Sequence, residues 1–258
     1  MNIGRLRGLR RKAGGGPRAT PSRSGNPVPD TSVAAMFDAI APVYDRMNTL
    51  MTLGLDGRWR RAAVSATAVA PGDAVIDVAC GTGKLAAALA ERVGPFGRVL
   101  AIDLAAAMIG EASARHRDLV QLEFQVGDAL ALPAEDASFD AATIAFGLRN
   151  LADFEAGFRE LARVVRPGGR VVCLELSLPR PRLWGRIYHG IFRRAAPLLG
   201  SLFGRRDAYR YLPTSLDGFP DPDELVRTML RAGLTDVSYR RLALGAVALH
   251  RGRVPDAR

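Results

Sequence analysis

Between residues 74 and 176, short apolar β-type runs alternate with amphipathic helical stretches, and this alternation limits the fold more than any other feature. The runs are AVIDVA (74–79), RVLAID (98–103), LEFQVGDA (122–129), FDAATIAFG (139–147) and GRVVCLEL (169–176). Helical periodicity occupies 84–93, 104–116 and 152–165. Apolar strands joined by helical crossovers run parallel, and a parallel sheet is covered on both faces, so the chain is expected to be α/β. Two further helices are predicted at 33–50 and 55–70, the second stopped by Pro71-Gly72. After a helix at 221–232, TDVSYRRLALGAVALHR reads as two strands turning around 242–245, a C-terminal antiparallel hairpin.

With 258 residues and 48% hydrophobic composition, the chain can bury one large core, or one core and a small appendage. No run of eighteen apolar residues predicts a membrane span. The net charge of +10 is local, because residues 1–30 carry seven basic side chains against Asp30 alone, or +6. Lys12 and Lys84 are the only lysines, an Arg bias that needs no selection for binding, so no nucleic-acid partner is expected. A mildly basic body fits equally well against an anionic membrane face. The Gly/Pro/Ser/Arg-rich leader (1–30) lacks apolar periodicity and is expected to be disordered, with an organelle transit peptide left open. Cys80 and Cys173 lie ninety-three positions apart, a spacing that suggests neither disulfide nor metal, and a reducing cytoplasm is expected.

The first strand leads into Gly81-Thr82-Gly83-Lys84-Leu85-Ala86, which matches the pattern G-x-G-x-x-G/A at the mouth of a helix. Asp103 ends the next strand twenty-two residues past Gly81, where a carboxylate can accept both ribose hydroxyls. A nicotinamide enzyme and an adenosylmethionine enzyme both satisfy these facts. Asp77, four residues before Gly81, can orient the loop and meet an ammonium group. Asp128, in GDALALP after the third strand, can accept from an adenine amino group.

The set D-x-x-x-G-T-G, D, G-D and P-G-G before the fifth strand resembles the class I adenosylmethionine-dependent methyltransferases. That resemblance implies a Rossmann-like, seven-stranded, mostly parallel sheet. MFDAIAPVYDRMNTLMTLGLDGRWRR (36–61), TIAFGLRNLAD (143–153), YRYLPTSL (209–216) and GAVALHRG (245–252) are similar to a narrower group, the C-methyltransferases of quinone biosynthesis. The likeness runs from Val33 to Gly252 and implies a methyltransferase domain over 31–252, with a helical cap at 31–70 and a tail at 253–258. It implies S-adenosyl-L-methionine as cofactor, with contacts at Thr82, Asp103, Asp128, Ala129 and Ala145. Lys84 stands where the family usually has an acid, and Ala145 where a serine is common.

The implied acceptor is a polyprenyl hydroquinone, either demethylmenaquinol or a polyprenyl-methoxy-benzoquinol. Its ring carbon becomes nucleophilic when the adjacent hydroxyl loses its proton, so the site needs positive charge or donors near that oxygen. Arg149 and Asn150, just past the fourth strand, are expected on the acceptor side, Arg149 stabilising the phenolate and Asn150 orienting it. A structural Arg–carboxylate pair is the alternative role for Arg149. Tyr44 from the cap and Tyr188 from a helical insertion at 180–212 are the aromatic candidates for acceptor contact. In the insertion Trp184, Ile187, Tyr188, Ile191 and Phe192 share a helical face among Arg182, Arg186, Arg193 and Arg194. A basic amphipathic stretch of this kind suits a lid that touches the membrane surface, with packing onto the domain as the alternative. A homodimer is compatible with all of this.

Overall fold

A computed structural model describes residues 30–177, 179 and 218–256. Nearly all of the leader, and the stretch carrying the expected insertion with Trp184, Tyr188 and Phe192, lie outside the described residues.

The strands are β1 (Ala74–Val78), β2 (Arg98–Asp103), β3 (Leu122–Val126), β4 (Phe139–Ala145), β5 (Val165–Leu176), β6 (Thr235–Leu242) and β7 (Val247–Arg253). They form one sheet in the order β3-β2-β1-β4-β5-β7-β6. β1 to β5 pair in parallel, β7 lies antiparallel beside β5, and β6 pairs antiparallel with β7. Among the described strands, therefore, only β7 runs against the rest. The strand order reverses between β1 and β4, which opens a crevice at the carboxyl ends of the central strands.

Period-two alternation places successive strand residues in two separate cores. Val75, Val99, Ala141 and Val172 meet α2 (Asp56–Thr67) and α3 (Lys84–Val93) through Ala63, Leu85 and Leu89. Ile76, Leu100, Ile144 and Val171 face the opposite way, toward Phe158 and Leu161 of α5 (Phe154–Val164) and Leu225 and Met229 of α6 (Pro222–Arg231). Each fully buried side chain of this size contributes roughly 1.5–3 kcal/mol relative to exposure. Such double burial explains why the strands read as apolar runs rather than as half-polar ones. Aspartates set both helix starts on the second face: Asp153 accepts from the Ala156 N–H and Asp221 from the Glu224 N–H, each at 2.9 Å.

The 31–70 region divides into two different structural roles. α1 (Asp30–Met51) lies across α4 (Ala106–Arg115), where Ile40 and Ala41 meet Ala105 and Met108. The Asp38 carboxylate accepts from the Ala107 N–H at 2.8 Å, an acid placed at a helix N-terminus. α2 belongs instead to the helical layer beside α3.

The fifth strand also starts earlier than its sequence suggests. Val165 already pairs with Phe139, and the register then shifts before Ala141 pairs with Arg170. RPGG is thus an irregularity inside β5 rather than the end of a helix. A Cβ on Gly169 would stand 2.6 Å from the Asp140 carbonyl oxygen, so close backbone approach demands glycine there.

Candidate active site

Two cavities open at the carboxyl edge of the sheet. The first, of about 730 Å³, is bounded by the residues that end or follow β1 to β4, among them Gly81, Asp103, Asp128, Ala129 and Ala145. Tyr44 and Phe37 of α1 complete it, and Asn150 stands at its far side. The Asp103 carboxylate accepts from the Gly81 N–H at 2.8 Å and the Ala105 N–H at 2.9 Å. Those bonds fix the carboxylate at the rim while leaving each oxygen a second lone pair for a ligand hydroxyl. Asp128 accepts from the Leu130 N–H at 2.8 Å, which holds its carboxylate in the turn after β3.

Asp77 lies buried beneath this cavity in β1 rather than on its wall. One oxygen accepts from the Thr143 hydroxyl at 2.6 Å, and the other is buried without a hydrogen-bond partner. Burial raises its carboxyl from an ordinary 3.8 to about 7, against the lowering effect of the Thr143 hydroxyl and of Arg60. The Asp103 carboxyl is raised as well, chiefly by burial. Asp103 and Asp128 give this end of the sheet an acidic lining, with Asp77 buried beneath it, suited to a cationic, ribose-bearing ligand. A dinucleotide pyrophosphate would bring further negative charge to the same place.

Thr82 and Gly83, expected at the cofactor, do not line the first cavity. The Thr82 hydroxyl donates to Asp45 at 2.9 Å, and its carbonyl lies 3.2 Å from His116 Nε2. Gly83 has a positive φ of 79°, and a Cβ there would lie 2.7 Å from the Phe124 ring. Lys84 lies 3.3 Å from Asp45 and 3.6 Å from Asp56, and Arg115 also pairs with Asp45. Lys84 thus joins the glycine loop to both N-terminal helices.

The second cavity, of about 600 Å³, lies between α1, α2 and the ends of β5 and β7. Tyr44 and Phe146 line both cavities, which therefore meet at these two side chains. Trp59, Arg60, Arg149 and Met51 also face the second cavity. Burial raises the Tyr44 phenol above its ordinary value although Arg149, Arg60 and Asn48 act to lower it. Tyr44 is therefore a neutral donor at physiological pH.

The segment FGLRN builds one side of this junction. Phe146 takes a left-handed φ of 59°, unusual for an aromatic residue and a backbone cost of the kind found at functional sites. Gly147 follows where a Cβ would overlap Ala79 at 2.3 Å, so the exits of β1 and β4 converge only with glycine. Arg149 then turns inward. Its Nη1 donates to Glu175 at 2.5 Å and to the Phe146 carbonyl at 2.7 Å, with both partners of the ion pair almost fully buried. Glu175 also accepts from the Leu176 N–H at 2.8 Å. The structure thus places Arg149 in the carboxylate pair that was its alternative role, on the wall of the second cavity, with Asn150 on the first.

The contributions of Glu175, Trp59 and Arg60 are not drawn from the sequence alone. Glu175 carried a signal, as a single acid inside an otherwise apolar buried strand. Among the described residues no cluster of His, Cys, Asp and Glu is placed to hold a metal ion.

Residues 26–254 match the ubiE/COQ5 methyltransferase family. The chain is 45% identical over 223 residues to the demethylmenaquinone methyltransferase of Thermus thermophilus, covering 85% of this chain and 100% of that one. It is 38% identical over 223 residues to the ubiquinone/menaquinone biosynthesis C-methyltransferase UbiE of Geotalea daltonii, covering 85% and 95%. Among solved structures, geranyl diphosphate C-methyltransferase from Streptomyces coelicolor shares the fold, with TM-score 0.58, 18% identity and coverage of 78% and 79%. The chain belongs to the ubiE/COQ5 methyltransferase family and is an S-adenosylmethionine-dependent C-methyltransferase.

Proposed function

We propose that this enzyme methylates a ring carbon of a polyprenyl hydroquinone, with demethylmenaquinol as the acceptor. The observation that carries this reading is the pair of cavities sharing Tyr44 and Phe146. One has carboxylates at the strand ends; the other is lined by aromatic side chains and guanidinium groups. When bound, S-adenosyl-L-methionine supplies a methyl group already activated by its sulfonium, which leaves the protein to align the acceptor and make it nucleophilic.

Asp103 and Asp128 would hold the ribose and the adenine amino group, with the backbone at Gly81, Ala129 and Ala145 closing around them. Asp77, beneath the first cavity with one carboxylate oxygen unpartnered, would act on the cationic end of the ligand through its charge. In the second cavity Trp59 and Phe146, with ring centroids 6.3 Å apart, supply flat apolar surface for a quinol head. Neutral Tyr44 would donate to a ring oxygen, while Asn150 lines the first cavity where the two meet. Arg149, balanced by Glu175, keeps a donor-rich wall in place.

A polyprenyl acceptor resides in a bilayer, so peripheral membrane association is part of the proposal. No described helix is long and apolar enough to cross a membrane. The support is the basic amphipathic sequence at 180–212, together with Leu50, Leu53 and Leu55 exposed at the corner between α1 and α2. Trp184→Ala combined with Phe192→Ala should reduce binding to anionic vesicles and leave S-adenosyl-L-methionine binding intact; equal vesicle binding would remove that segment's role.

The acceptor is tested by supplying the purified protein with S-adenosyl-L-methionine and either short-chain demethylmenaquinol or the corresponding methoxy-benzoquinol. Mass and NMR analysis should find ring C-methylation of the naphthoquinol. Preference for the benzoquinol would move the enzyme to the ubiquinone branch named in the UbiE relative, and transfer to neither would refute the reading.

A further inference from the structure

Arg60 is the charge in the second cavity that the protein itself leaves least satisfied. Its guanidinium lies over the Phe146 ring, 5.5 Å from the centroid, on the cavity wall. The side chain is 12% exposed, and its Nε is buried with no hydrogen-bond partner. A buried donor without an acceptor carries its full desolvation cost, and a larger one when it is charged. The neighbouring carboxylate, Asp56, is 3.9 Å from Nε, too far for a hydrogen bond. That carboxylate is also shared, lying 3.6 Å from Lys84 and accepting from the Thr52 hydroxyl at 3.3 Å.

Arg149 lines the same cavity in the opposite condition. Glu175 takes its Nη1 at 2.5 Å and accepts from its backbone N–H at 3.3 Å, so the pair is close to neutral and internally bonded. One guanidinium holds the wall together; the other lines the cavity with its Nε left without an acceptor. Trp59, adjacent in sequence and lining the same space, gives a ring-shaped ligand a surface beside that donor.

We propose that Arg60 binds the ionised ring oxygen of the acceptor in the second cavity, recognising an aromatic oxyanion of the phenolate class. The proposal rests on the hydroquinone reading for the identity of the natural acceptor, although the oxyanion site itself can be tested apart from it. A planar guanidinium suits this task because it stays ionised and offers several fixed donors to one oxygen. The other charged or titratable groups around it are Tyr44 on α1, Asp56 on α2, Lys84 with Asp45, Asp77 below, and the Arg149–Glu175 pair. Tyr44 lines the same cavity, and burial keeps its phenol neutral although Arg149 and Arg60 act to lower it.

The probe is 4-nitrophenol, whose ionised form is read by absorbance, titrated against the full chain loaded with S-adenosylhomocysteine. Bound to the wild type, it should ionise at least one pH unit lower than in buffer, meaning phenolate bound at least about tenfold tighter than phenol. Arg60→Gln and Arg60→Met should abolish that shift, and Arg60→Lys should keep part of it. S-adenosylhomocysteine affinity, expected to stay within about twofold, reports whether each variant is folded. Turnover of demethylmenaquinol by Arg60→Gln should fall on the order of a hundredfold at neutral pH. The deficit should narrow as pH rises and the acceptor ionises unaided. An unshifted probe on the wild type, or an equal shift on folded Arg60→Gln, overturns the role of Arg60. A normal probe shift without wild-type turnover of either quinol supports the oxyanion site and overturns the hydroquinone reading.

Discussion

The two cavities meet at Tyr44 and Phe146 but are assembled by different means. The first is built by the sheet: four parallel strands end together, and the residue ending or following each one contributes to the rim. Its acidic side chains are fixed by nearby backbone N–H groups, as at Asp103 and Asp128. The second is built by side chains from α1, α2, the turn after β4 and the ends of β5 and β7, elements separated by most of the chain. Its order depends on long-range packing and on one buried ion pair. Donor binding is therefore expected to tolerate changes that destroy acceptor binding, because strand ends persist while side chains above them rearrange.

The largest break in that comparison should come from Glu175→Ala. It leaves the Arg149 guanidinium buried beside an empty position, and uncompensated buried charges of this kind cost roughly 3–5 kcal/mol. Urea unfolding should show that loss. In protein that remains folded, acceptor turnover should disappear while S-adenosylhomocysteine still binds. A change below about 1 kcal/mol would mean that the pair does not organise the second cavity.

A smaller effect concerns the first cavity alone. Asp77 ionises only at about pH 7, while a cationic ligand favours its ionised form. S-adenosyl-L-methionine affinity should therefore fall as pH drops from 7 to 5.5, by at most about tenfold per unit. Asp77→Asn should flatten that dependence, measured by calorimetry; an unchanged slope would separate Asp77 from the ligand. Protein stability is a poorer readout because two groups oppose each other. The raised Asp77 contributes stability present below its ordinary 3.8 and lost as pH rises to about 7. His250, lowered by burial to about 4, contributes stability present above its ordinary 6.5 and lost as pH falls toward about 4.

The smallest effect is expected at Lys84, which touches both helices of the N-terminal region from a partly exposed position. Lys84→Ala should cost under about 1 kcal/mol of stability, the usual scale for such pairs. Cofactor affinity should change less than threefold in a direct titration. A larger loss would show that the contact with Asp45 and Asp56 shapes the first cavity.

These differences also explain what was legible in the sequence. Gly81, Asp103 and Asp128 sit at strand ends, and strand ends follow from local apolar runs, so spacing alone located three parts of the first cavity. Thr82 and Gly83 belong to the same short loop, but which side of it faces a ligand depends on Asp45, Phe124 and His116, residues brought there by tertiary packing. The β5 start was misplaced because RPGG reads as a local terminator, whereas pairing of Val165 with Phe139 carries the strand through it. FGLRN marked the family, yet neither Phe146's left-handed backbone nor the burial of Arg149 against Glu175 leaves a periodic trace. The unsatisfied state of Arg60 is likewise a property of contacts and distances, not of spacing.

The most direct measurement is a paired titration of the full chain with S-adenosylhomocysteine and a redox-stable demethylmenaquinol analogue, each with and without the other. Both ligands should bind together. Asp103→Ala, which would remove the two charge-assisted hydrogen bonds proposed to the ribose, roughly 1.5–3 kcal/mol each, should weaken S-adenosylhomocysteine by more than tenfold and leave the analogue nearly unchanged. Trp59→Ala should weaken the analogue and leave S-adenosylhomocysteine nearly unchanged. Mutual exclusion of the two ligands, or loss of both affinities in either variant, would contradict the assignment of donor and acceptor to separate cavities that meet at Tyr44 and Phe146.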